Sequence, residues 1–211
     1  MKLVLLMASF SLVVPLAIGG TRFRHYGLDL KALTIFLCLS LLLESVSVYL
    51  WSRSINNLPV LHIFTLVEFV FIWYIFHEHI RTVIPLRVGA LFMVLFVAFT
   101  ITNSLWIQSV FRFNSYARGI EILLILLYCL VYIYTLLTSD NTVLLRRIPM
   151  FWFATGALLY YTMSFFLFLL SNDMLIHFPK GTNMISWGLH GVFLVIYHVF
   201  LSVALWIHPK P

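Results

Sequence analysis

The sequence predicts an all-α integral membrane protein, a bundle of seven transmembrane helices with the N-terminus outside and the C-terminus cytoplasmic. Three observations predict it. The 211-residue chain is 63% hydrophobic and only 9% charged. A soluble domain carries about 25% charged residues, so the main solvent of this chain is lipid. Seven apolar windows, at about 3–19, 32–52, 60–76, 88–106, 119–137, 150–170 and 184–207, have no Lys or Arg in their interiors. Pro59, Pro85, Pro149, Pro179 and Pro209 fall between or after these windows, Pro211 ends the chain, and only Pro15 lies inside one.

A helix rising ~1.5 Å per residue needs about 20 residues to cross a ~30 Å hydrocarbon core. The windows use about two-thirds of the chain, so the connectors are short and residues 1–211 read as one transmembrane domain. No soluble catalytic or signalling domain fits beside them. Barrel strands would alternate over ~10 residues. These windows are continuously apolar, and a helix satisfies its own backbone in lipid.

The first window, "MKLVLLMASFSLVVPLAIGG", has the apolar core and small-residue ending of a signal peptide. Arg22, Arg24 and Lys31 follow at once and resist export, so it is expected to stay as the first span. The second carries Glu44, with Ser40, Ser47 and Trp51 on its helical face. The third carries Glu68, with Leu61, Thr65, Ile72 and Ile75. Asn103 lies near the end of the fourth. Glu121, in the fifth, lines up with Tyr128, Tyr132 and Thr135, and Arg118 three residues earlier suggests an interfacial pair. The sixth, opening "FWFATGALLYY", has no ionisable acid or base. The seventh carries His190, in line with Asn183, Ser186, Trp187 and Tyr197.

Orientation follows from basic residues in short loops. Arg22, Arg24, Lys31, Arg81, Arg87, Arg146, Arg147 and Lys210 fall on one side, eight in all. Lys2, Arg53, Arg112, Arg118 and Lys180 fall on the other. The richer side is expected to be cytoplasmic. The formal net charge of +6 is dispersed over these loops, which argues against nucleic acid as a partner.

An acidic residue at a helix centre costs about 2.5–3.5 kcal/mol on insertion scales and usually faces the bundle interior. Glu44 is eight residues from Ser52 and Glu68 eight from Val60, so both lie ~12 Å below the same end. His190 and Asn103 fall in the same half. A polar pocket of Glu44, Glu68 and His190, with Ser40, Ser47, Thr65, Asn103 and Tyr197, is expected there. No intramembrane Lys or Arg is expected to neutralise the two carboxylates. Each is therefore protonated, paired with His, or bathed in a wet cavity. The plainer alternative is that Glu68 ties helices together through a hydrogen bond.

His62 and His198 read as interhelical hydrogen-bonding residues, and His77 and His79 as membrane-edge residues rather than a zinc pair. Cys38 and Cys129 read as packing residues. Trp51, Trp106, Trp187 and Trp206 lie near span ends, where indole rings favour the interface. Gly188 and Gly191 suggest close helix packing.

The last window lacks the Lys that a retinal protein needs, and paired His for a bis-His haem are absent but for His62 with His190. The seven-span zinc hydrolases of the alkaline ceramidase and adiponectin-receptor type carry HxxxH in the final helix. Here His190 and His198 are eight apart, ~12 Å along a helix, too far for one zinc. No cofactor is expected, with zinc as the alternative. The function expected first is a receptor-like, ligand-sensing or signalling-accessory module with a cytoplasmic partner, and not an enzyme. A small-solute or proton-coupled transporter and an intramembrane metal-dependent lipid hydrolase are the alternatives.

"NNLPVLHIFTLVEFVFIWYIF", "FRFNSYARGIEILLILLYCLVYIYTLL", "FWFATGALLYY" and "ISWGLHGVFLVIYHVFL" resemble a family of short, uncharacterised bacterial seven-span proteins over about 56–206. The resemblance implies a bacterial inner-membrane location, multi-pass, and carries no activity, cofactor or site residue.

Overall fold

A computed structural model of the chain describes residues 2–139 and 144–207, with side chains from residue 6 onward. Pro209, Lys210, Pro211 and the side chain of Lys2 lie outside the described residues. Every regular element described is helical, and seven stretches are long and apolar enough to cross a membrane. They are Leu6–His25, Leu28–Ser52, Leu58–Ile80, Leu86–Ile107, Ser115–Thr138, Pro149–Leu169 and Lys180–Trp206.

The first stretch is two helices, α1 (Lys2–Phe10) and α2 (Val13–Arg22), followed by a 3₁₀ turn at Phe23–His25. The break at Ser11 and Leu12 has a local cause. Pro15 has no N–H to give the Ser11 carbonyl, and its ring crowds that carbonyl. Val14 N–H bonds to it instead, at 3.1 Å.

The second, third, fifth and seventh spans run longer than their apolar windows, while the sixth matches its window in length. α3 is Leu28–Ser52, α4 is Leu58–Ile80 and α5 is Leu86–Thr102. α5 runs into a π-helical turn at Asn103–Ile107. α6 is Ser115–Thr138, and α7, Pro149–Leu169, opens on proline, which needs no N–H partner there. A short α8 (Ser171–His177), unforeseen in the sequence, precedes α9 (Lys180–Trp206). α3 closes with a Schellman turn. The Ile55 N–H reaches the Leu50 carbonyl at 2.9 Å and the Ser54 N–H reaches Trp51 at 3.0 Å, with Ser54 at φ 58°.

Six spans form a ring. α2 packs on α3, α3 on α4, α4 on α6, α6 on α7, α7 on α9, and α9 on both α1 and α2. α5 stands outside it against α4. Two close approaches fix the ring. A Cβ on Gly19 would lie 2.7 Å from Thr34 Oγ1 of α3, and one on Gly156 would lie 2.4 Å from Phe200 Cβ of α9. The first and last spans are tied by side chains. Ser11 and His198 meet at 2.6 Å, the Tyr26 hydroxyl donates to the Leu205 carbonyl at 2.6 Å, and Arg22 donates to the Trp206 carbonyl at 2.5 Å. Burial pushes the Tyr26 hydroxyl above its ordinary value, and the Arg22 charge opposes that rise.

The two ends of the ring differ. Near the start of α3 and the end of α9 it is filled. Leu33, Phe76, Tyr128, Phe153 and Leu205 are wholly buried there. At the other end, where α3 stops and α4 and α6 begin, polar side chains replace them.

Candidate functional site

α6 starts deeper than α4, and that offset builds the site. Asn114, just before α6, donates to Thr65 Oγ1 at 2.7 Å. Thr65 lies seven residues into α4, ~10 Å below its start. The connector ahead of α6 therefore dips into the bundle, and both Asn114 and Ser115 are buried. The two helices run parallel and meet through three polar steps. His62 bonds Ser104 at 2.7 Å and the Arg112 carbonyl at 3.1 Å. A carbonyl only accepts, so Nε2 carries the proton. Thr65 meets Asn114 next. Glu68 then meets Arg118.

Arg118 is the centre of the site. It donates to Glu68 of α4 and, at 2.6 Å, to Glu121 of its own helix. Its guanidinium lies 4.7 Å from the centre of the Phe168 ring. Arg118, Glu68 and Glu121 are 5%, 4% and 0% exposed. Each charge is costly to bury alone, and mutual pairing offsets the cost. Two expectations are corrected here. A cation buried within the bundle does pair with Glu68, and the Arg118–Glu121 pair is buried rather than at the bundle's edge. The reason is the sunken start of α6: its first turn, assigned to a loop from the sequence, lies within the bundle.

Beside this cluster a cavity of about 540 Å³ opens within the ring. From α4, Thr65 and Glu68 line it, and from α6, Arg118. From α3 come Ser40, Glu44 and Ser47, which share one helical face. Asn57 donates to Ser47 at 2.7 Å. Ser40 Oγ is buried and has no hydrogen-bond partner among the described residues. No hydrogen bond or ion pair holds Glu44 among the described residues, and it is half-buried. From α9 come His190 and Tyr197. His190 bonds Ser164 of α7 at 3.1 Å, with the rings of Phe168, Tyr160 and Trp187 at 5.0, 5.5 and 5.8 Å. Tyr197 stacks on Tyr160 at 5.0 Å, and its hydroxyl is unpaired among the described residues.

Asn103 lies apart from this group. It is buried in the π-turn after α5 and donates to Gln108 at 3.2 Å. Gln108 in turn donates to Ser115, so Asn103 belongs to the brace that holds the start of α6. Trp187, placed at the interface from its position near a span end, lines the cavity instead. Sequence reasoning paired Arg118 with Glu121 but left it out of the pocket, and it missed Asn114, Ser164 and Tyr160. For Arg118 a signal existed: Glu68 and Glu121 both needed a cation, and this one stands three residues before Glu121.

The histidines do not converge. His190 faces Ser164 and His198 faces Ser11. His79 meets Asp29 at 3.1 Å while His77 meets Glu78 at 3.1 Å. Among the described residues no three of His, Cys, Asp and Glu are placed to hold a metal ion together. Cys38 and Cys129 are both free thiols.

No family model, curated protein or solved structure matches the chain. The functional reading rests on the geometry alone.

Proposed function

We propose that this is a receptor-like membrane module that binds a small ligand inside its helical ring and reports occupancy to a separate cytoplasmic partner. The observation that carries the reading is the cavity's shape. It opens in one half of the ring and stops against the close-packed core of the other half, around Leu33, Phe76 and Phe153. A closed floor suits a binding site better than a through-path. Arg118 and Glu68 of the ion cluster give its wall a fixed electrostatic pattern.

The chain is read as lying in a bacterial inner membrane with its N-terminus outside. Removing buried Arg118 from the outer count leaves four basic residues (Lys2, Arg53, Arg112, Lys180) against eight, which favours this orientation. The cavity then opens toward the outside.

A screen of small solutes against the purified full chain in nanodiscs tests the reading, with thermal unfolding followed by Trp fluorescence. A solute that stabilises the wild type by several degrees and does not stabilise Gly191→Leu, which fills the cavity wall, supports it. If no solute gives that difference, the reading fails.

Proton-coupled transport is the second reading, favoured by Glu121 Oε1, which is buried and unpartnered among the described residues. Solute uptake into proteoliposomes that depends on a pH gradient and is lost in Glu68→Gln would promote it.

A further inference from the structure

The ring is parted by a groove between α1 and α3. α1 leans on α9, and α2 packs on both α3 and α9, while α1 and α3 touch little or not at all among the described residues. The break at Ser11 and Leu12, set by Pro15, lets α1 diverge where α2 does not. A groove of about 220 Å³ fills the interval, lined by Leu6 and Ser9 of α1 and by Glu44, Val48 and Trp51 of α3. Ser9, Glu44, Ser47, Trp51 and Asn57 line both this groove and the large cavity, so the two adjoin. The outward faces of both helices are apolar and exposed, at Met7, Leu42, Val46 and Tyr49. The groove therefore lies beside an apolar outer surface, of the kind that faces lipid in a membrane protein.

The charges around the cavity do not balance. Arg118 is committed to two carboxylates, and Glu44 at the junction has no cation among the described residues. Ser40 Oγ and the Tyr197 hydroxyl, both more than nine-tenths buried, face the same space unpartnered among the described residues. The remaining wall is largely aromatic, with Phe36, Phe64, Tyr160, Phe168 and Trp187. Aromatic faces and a carboxylate are the chemistry that holds an ammonium group.

We propose that the cavity takes an ammonium-headed amphiphile, an ammonium group on an apolar chain. It passes sideways from the lipid between α1 and α3, and its ammonium pairs with Glu44. The inference rests on the ligand-binding reading above and gives that ligand a class and a route.

The test uses the full chain in uncharged maltoside micelles, with brominated dodecylammonium, dodecanol and dodecanoate as quenchers of Trp51 and Trp187 fluorescence. The ammonium is expected to quench saturably and to bind about tenfold or more tighter than the other two. Glu44→Gln brings it down to the level of the alcohol, and Glu44→Asp retains the preference. Ser9→Leu, which narrows the groove, slows the approach to saturation. Phosphatidylethanolamine added to the micelles distinguishes the source of the ammonium: competition identifies a lipid headgroup, no competition a free amine, and both fit the proposal. Equal quenching by the three amphiphiles, or a preference that survives Glu44→Gln, overturns the cation assignment while the receptor-like reading stands. Absence of saturable quenching by any amphiphile overturns the proposal, and the solute screen then judges the broader reading by itself.

Discussion

Glu68 of α4 and Arg118 of α6 are 50 residues apart in the chain and form an ion pair inside the helical ring. Glu121 completes it, accepting from the same guanidinium nitrogen, Nη1, as Glu68 does. The three groups are mutually dependent, since any one of them alone would be an unpaired charge in a dry interior.

Removing the cation is therefore expected to cost more than removing the whole cluster. Arg118→Gln should destabilise the protein by about 3–5 kcal/mol, because two buried carboxylates lose their partner. The triple change Arg118→Met, Glu68→Gln, Glu121→Gln should recover most of that loss. Denaturant unfolding in micelles, followed by Trp fluorescence, measures both. A triple variant no more stable than the single one would refute the mutual-dependence account.

The turn after α3 offers a gain. Ser54 holds a left-handed backbone at φ 58°, which costs an L-residue roughly 1–2 kcal/mol and glycine very little. Ser54→Gly should raise stability by about 1 kcal/mol, seen as a higher unfolding midpoint with no change in ligand response.

Gly156 is set against Phe200, with 2.4 Å between a built Cβ and the Phe200 Cβ. That atom sits next to the backbone and cannot swing aside. Gly156→Ala should push α7 from α9 and cost about 1–3 kcal/mol. The same change at Gly20, where a Cβ meets nothing within 4 Å, should have little effect and serves as the control.

Ser11 donates to the Ala8 carbonyl at 2.6 Å, so it accepts from His198 Nδ1. Ser11→Ala leaves the buried imidazole N–H without its acceptor and should cost about 1–3 kcal/mol. Limited proteolysis near the Ser11–Leu12 break should speed up in parallel, as the first span loosens from the last.

The number of spans and their order could be read from the sequence because hydropathy over ~20 residues is a local property. Faces were legible for the same reason: Ser40, Glu44 and Ser47 recur at helical spacing, and they line one cavity. Depth across helices was not. Glu68 could be placed along α4, but its partner depended on how far α6 sinks against α4, which the Asn103–Gln108–Ser115 brace sets. That brace is a tertiary arrangement with no periodicity to betray it, so Arg118 read as a loop residue and Asn103 as a pocket residue. The break in the first span was marked by Pro15, but the resulting gap between α1 and α3 depends on where α9 lies.

The closure of the ring by its first and last spans sets a timetable for biosynthesis. The chain emerges from its N-terminus, so α4 enters the bilayer while Arg118 has still to be synthesised, and Glu68 waits through the whole of α5. His198, Leu205 and Trp206, the partners of Ser11, Tyr26 and Arg22, come last of all. A nascent chain halted after α7 would hold every charge of the central cluster in place and still be an open crescent. Completion of the ring waits for α9, and a truncation that removes α9 leaves the first span held by α3 alone.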